Sequence, residues 1–141
     1  MNHLEKAISI AVKAHQGQTD KAGEPYILHP LRVMLNFQQE REMITAVLHD
    51  VVEDSRFTLD NLRNEGFPTE IVEAVDCLSK RPKEKFDKYI LRLKKNPLAV
   101  RIKLADLEDN LNVRRLSEVG FKDWARINKY LEVWRDLQDN L

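Results

Sequence analysis

Apolar residues recur three or four positions apart along most of this chain, and that spacing is the period of a buried helix face. Leu4, Ile8, Ala11 and Val12 form one such stripe near the start, and Ile71, Val72, Val75 and Leu78 form another in the middle. Trp124, Ile127, Leu131 and Trp134 form a third near the end. Backbone punctuation is scarce: four glycines and five prolines among 141 residues are too few for a turn-rich β fold. One segment is ambiguous. In "LAVRIKLADLEDNL", Val100, Ile102 and Leu104 alternate with Arg101 and Lys103 as in a half-buried strand, yet Val100, Leu104, Leu107 and Leu111 keep helical spacing for longer. The longer match decides for helix. The expectation is an all-α bundle of about seven to eight helices, in one domain spanning 1–141.

Local signals place the breaks. Gly17 to Pro25 interrupt the first stripe. Pro30 fits only near a first helical turn, so the next helix is expected from about His29 to Phe37. Glu40 to Glu53 reads as one continuous helix. Thr58 is placed to cap "LDNLRNE", which Gly66 closes, and Thr69 to cap "EIVEAVDCLSK".

Composition excludes several functions. The 23 basic and 23 acidic residues balance, which leaves no net field to attract nucleic acid or an anionic membrane. No stretch approaches the ~20 apolar residues of a membrane span. "MNHLEKAISIAVKAH" has no long apolar run of a signal peptide, so a cytoplasmic protein is expected. The single Cys77 excludes an internal disulfide and a cysteine zinc site; it reads as a small buried hydrophobe. Self-association is compatible with this composition.

Chemistry concentrates in "LHDVVEDS", residues 48 to 55. His49, Asp50, Glu53 and Asp54 lie among Val47, Leu48, Val51 and Val52, and charge beside apolar groups is costly to bury unless paired or bound to a metal. On a helix, His49 and Glu53 share a face, as do Asp50 and Asp54. Adjacent His49 and Asp50 can both reach one ion at the helix flank. Glu53 and Asp54 then sit one turn further, suited to hold or deprotonate a water. Imidazole nitrogen with carboxylate oxygen suits Mn²⁺, Fe²⁺ or Zn²⁺. More ligands are needed, and His29, His15, His3 and the acids of "ADLEDN" are the candidates. Lys103, Asp106, Asn110 and Arg114 form a polar face opposite the leucines of their helix, and a semi-buried Asp106 requires a cation. The structural alternative is a solvated helix end with a chance His-Asp pair.

Three blocks, "AHQGQTDKAGEPYILHP", "AVLHDVVEDS" and "RIKLADLEDNL", resemble in order and spacing the signatures of HD-domain hydrolases of the RelA/SpoT type. The C-terminal "RINKYLEVWRDL" resembles the closing helix of the small stand-alone members. The resemblance covers nearly the whole chain, with nothing left over for a synthetase domain. It implies a helical HD domain with one divalent metal, usually Mn²⁺, on His29, His49, Asp50 and Asp106. It implies that Glu53 and Asp54 are the catalytic acid pair, with Ser55 in place of the usual threonine. It implies that Lys21, Asn110, Arg126 and Tyr130 contact a phosphorylated nucleotide; the basic run "SKRPKEK" reads equally as further phosphate contacts or as a solvated loop. The family reaction removes the 3′-diphosphate of (p)ppGpp, giving pyrophosphate and GDP or GTP.

This sequence departs from the family at two places. Members carry Arg-Lys in "GQxRKxG", where the arginine stacks on guanine; here the pair is Asp20-Lys21. An aspartate cannot stack like a guanidinium. The "KLAD" block also continues "LEDN", and Glu108 and Asp109 are expected to face solvent. Two alternatives therefore stand beside the alarmone hydrolase: the same chemistry on an adenine alarmone or the 2′-phosphate of NADPH, and a non-catalytic binding module. The intact ligands and acid pair argue against the last.

Overall fold

A computed structural model describes residues 1–141. Nine α-helices follow one another: α1 (His3–Ala14), α2 (Leu28–Met34), α3 (Glu40–Leu48), α4 (Val51–Asp54), α5 (Leu59–Asn64), α6 (Thr69–Leu78), α7 (Phe86–Lys94), α8 (Pro97–Asn110) and α9 (Phe121–Gln138). A 3₁₀ turn, Val113–Arg115, joins the last two. The sole β feature is an isolated bridge between Thr19 and Pro25. The all-α expectation holds. The count exceeds the expected eight because the run from Glu40 to Glu53 is two helices, not one.

That break has a local cause. The His49 ring donates from Nδ1 to the Ala46 carbonyl at 2.6 Å, and the His49 backbone N–H also turns to that carbonyl. In a continuing helix that carbonyl would serve residue 50. Asp50 adopts φ −103°, ψ −3°, and the helix restarts as α4 with Asp54 N–H on the Asp50 carbonyl. The corner carrying His49 and Asp50 is thus a tightened turn between two helices.

Polar side chains cap the starts of α1, α5 and α8. Asn2 and Glu5 form a reciprocal capping box on α1, and Thr58 and Asn61 form one on α5. Asn96 caps α8, with Pro97 in its first turn. Thr69 does not cap α6; it is the first helical residue, behind Pro68. Gly66 closes α5 at φ +89°, a left-handed conformation that a side chain would strain.

One contiguous apolar core runs through the bundle, with α3 packed on α1, α2, α6 and α8. Leu48, Ile102 and Leu107 are wholly or almost wholly enclosed. Burying each such side chain contributes about 1.5–3 kcal/mol. Helix α8 is buried on more than one face, which explains its strand-like reading: Val100, Ile102 and Leu104 all lie inside. The charges between them reach partners, Arg101 to Glu42 at 2.7 Å and Lys103 to Asp106 at 3.0 Å. On α9 the buried residues are Ile127, Val133 and Leu137; of the expected stripe Ile127 is buried and Trp134 packs partly buried on the core, but Trp124 is 55% exposed. No helix is long and apolar enough to cross a membrane.

Candidate functional site

Helices α2 and α8 and the α3–α4 corner bring His29, His49, Asp50 and Asp106 together. Their inward atoms all lie within 4.8 Å of one another. His29 Nε2 stands 2.8 Å from Asp106 Oδ1, and His49 Nε2 stands 3.0 Å from Asp50 Oδ2 and 3.3 Å from Asp106 Oδ1. Both histidines and Asp106 are buried. His15 and His3 stay outside the cluster. His15 is buried against Tyr26 with Nδ1 on the Gln18 amide oxygen, and His3 is exposed beside Phe67.

Each imidazole is fixed from behind. His29 Nδ1 faces Asp109 Oδ2 at 2.6 Å, and His49 Nδ1 faces the Ala46 carbonyl at 2.6 Å. With acceptors there, both rings donate from Nδ1 and aim Nε2 inward. The carboxylates are fixed as well. The Tyr26 hydroxyl donates to Asp50, while Lys103 and Asn110 donate to Asp106. Two inward nitrogens and two carboxylates on one point are a donor set for a divalent cation. Burial opposes charge on His49, but Asp50 and Asp106 outweigh it and raise its pKa well above the ordinary value. Burial likewise opposes charge on Asp106, yet Lys103 and His49 hold its pKa well below the carboxylate range.

The acid pair lies at the end of α4, on the open side of the bundle, with Asp54 partly shielded by the residues around it. Glu53 Oε1 accepts the Lys80 backbone N–H at 2.7 Å, which ties the basic run at 79–85 to α4. The Asp54 carboxylate has no such partner; its carbonyl is held by the Gln18 amide at 2.9 Å. Partial burial, with the negative charge of Asp50 and Glu53, pushes the Asp54 pKa up to about 6.

Beside His29 opens a cavity of about 410 Å³ whose lining includes Lys21, Asn110, Arg126 and Tyr130, all four singled out from sequence. Asp20 lines it too. Its Oδ1 accepts the backbone N–H groups of Ala22 and Glu24, both at 2.9 Å, so it organises its own loop. Arg114 leaves the polar face assigned to it, because α8 ends at Asn110; it bonds to Asn112 instead.

Sequence reasoning missed one group of residues. Asp109 does not face solvent. Besides holding His29, it binds Arg32 through two hydrogen bonds of 2.8 and 3.0 Å, and Arg115 donates to its carbonyl at 2.7 Å. Arg32 and Arg115 line the cavity. The one available signal was the helical spacing of Asp106 and Asp109, i and i+3 on one face. Glu108 is exposed as expected and accepts a hydrogen bond from the Trp134 indole.

A helical bundle with a His-His-Asp-Asp cluster, its His-Asp corner at a helix break and an open polar cavity alongside, is an HD domain. No family model matches the chain. It is 39% identical over 118 residues to the guanosine-3′,5′-bis(diphosphate) 3′-pyrophosphohydrolase of Haemophilus influenzae, covering 72% of this chain and 17% of that protein. It is 32% identical to the bifunctional (p)ppGpp synthase/hydrolase SpoT of Escherichia coli K12, covering 79% and 18%. It is 31% identical to a GTP pyrophosphokinase of Myxococcus xanthus, covering 98% and 20%. The chain thus spans about a fifth of the length of these curated relatives. Among solved structures, a metazoan ortholog of SpoT that hydrolyses ppGpp superposes with a TM-score of 0.79 at 20% identity, over 97% of this chain and 85% of that one. The chain belongs to the RelA/SpoT-type HD-domain family.

Proposed function

We propose that this protein is a metal-dependent hydrolase that removes the 3′-diphosphate from (p)ppGpp-like nucleotides in the cytoplasm, releasing pyrophosphate and GDP or GTP. Residues 1–141 act as one catalytic unit, with Mn²⁺ as the preferred cation on His29, His49, Asp50 and Asp106. The observation that carries this reading is the four-residue cluster opening onto a cavity lined by Lys21, Asn110, Arg126 and Tyr130. The family membership of the chain supports it. A divalent cation there supplies Lewis acidity, which lowers the pKa of water and polarises a phosphoryl oxygen.

The remaining chemistry belongs to the side chains. Asp54, with its carboxylate free of protein partners and its pKa up to about 6, orients the attacking water and takes its proton. Glu53 holds the 79–85 loop against α4 through Lys80, which keeps those basic residues on the side of the diphosphate under attack. Water oxygen bonds to phosphorus, the bond to the ribose 3′-oxygen breaks, and that oxygen takes up a proton. Lys21 and Arg126 offset phosphate charge, and Asn110 and Tyr130 contact the ribose side.

The test is pyrophosphate release from ppGpp by purified protein with Mn²⁺. Turnover that is lost with chelator and returns with Mn²⁺ is expected. Absence of release from protein shown to hold the metal would overturn the reading.

A further inference from the structure

We propose that Arg32, held edge-on by Asp109, is the platform on which the substrate's nucleobase stacks. This inference rests on the nucleotide-hydrolase reading and names the specificity element of the same site.

Arg32 lies one helical turn after His29, so it flanks the cation cluster, and its side chain lines the cavity. Its Nε and Nη2 both bond to the Asp109 carboxylate, at 2.8 and 3.0 Å. A bidentate fork of this kind fixes the guanidinium plane. The bound edge is spent, and the flat face and Nη1 remain. Asp109 is in turn pinned by His29 and Arg115, so the platform is rigid.

Charge decides what such a platform receives. Arg32 and Arg115 meet two carboxylates, Asp109 in direct contact and Asp20 nearby in the same lining. The two guanidiniums are therefore matched by two carboxylates and offer a phosphate no surplus charge. Ala22, Val113 and Leu116 add apolar lining. A planar neutral heterocycle fits that combination: apolar contact at its rim and a guanidinium against its face. Asp20 cannot serve, because its carboxylate is engaged by its own loop. Phosphate recognition falls to Lys21 and Arg126.

The test compares wild-type protein with Arg32→Lys and Arg32→Met, loaded with Mn²⁺, by calorimetry. GDP probes the base together with phosphates, and inorganic pyrophosphate probes phosphates alone. Both variants are expected to weaken GDP binding by about tenfold. Pyrophosphate and Mn²⁺ affinities should stay unchanged, because His29 and Arg115 still hold Asp109. Lysine should not rescue, since a point charge cannot stack like a guanidinium. Recovery of GDP affinity in Arg32→Lys, a parallel loss for pyrophosphate, or unaltered GDP binding in both variants would each overturn the proposal. If the wild-type protein binds GDP through Arg32 but releases nothing from ppGpp, the hydrolase reading fails and the base platform stands.

Discussion

Asp109 does for His29 what the Ala46 carbonyl does for His49: each accepts from Nδ1 and commits Nε2 to the interior. The two supports differ in how they can be removed, because only Asp109 is a side chain. Asp109→Ala should weaken Mn²⁺ binding by about 10- to 100-fold. Asp109→Asn keeps an acceptor and should lose less; equal losses in the two variants would contradict the role in fixing the tautomer. Asp54 makes a second expectation at this scale. In metal-free protein its carboxyl should titrate near 6 by NMR, and binding of a divalent cation should lower that midpoint by offsetting the charge of Asp50. Asp54→Asn should reduce kcat by about 10²- to 10⁴-fold with Mn²⁺ affinity retained. A metal-free midpoint at the ordinary carboxylate value of about 3.9 would remove the basis for its assignment as base. The four inward groups were legible from residue type and resemblance. Asp109 was not, because its partners Arg32 and His29 lie 77 and 80 residues away and no local pattern announces them.

Helix boundaries were readable where local chemistry sets them and unreadable where packing does. Thr58 was legible as a cap, and its side chain does accept from Asn61 N–H. Thr58→Ala should therefore cost about 1 kcal/mol in urea unfolding. A loss near zero would mean that the cap is replaced by water. The α3–α4 break was illegible because Glu40 to Glu53 carries no glycine or proline; the His49 ring, bonding back to Ala46, makes the interruption. The α9 stripe was readable at Ile127 and Trp134 but not at its start. Arg126 and Tyr130 line the cavity, and Trp124 is left in solvent. Cavity lining and packing share one helix there, and a hydrophobic period alone cannot separate them.

Across the whole molecule, the buried charges make stability depend on pH and on the cation. Asp50 sits at about 2: burial raises its pKa, but His49 outweighs that. Glu84, bound by Arg92, also sits at about 2. Groups with depressed folded pKa values stabilise above the unfolded value of about 4 and lose that contribution as pH falls toward the folded one. Metal-free protein should therefore lose Tm steeply between about pH 4 and pH 2. His29 and His49 act in the opposite sense. Their raised pKa values stabilise the metal-free form at low pH, and the contribution fades as pH rises through the folded values. Since a cation needs both rings unprotonated, Mn²⁺ should raise Tm more at pH 8 than at pH 6, as calorimetry with and without chelator can measure. The ligands also lie far apart along the chain, His49 and His29 being 57 and 77 residues from Asp106. An ion can join them only once those distant stretches have docked. Holding them there ties distant stretches of the chain at one point, so removing the ion should shorten the lifetime of the folded structure.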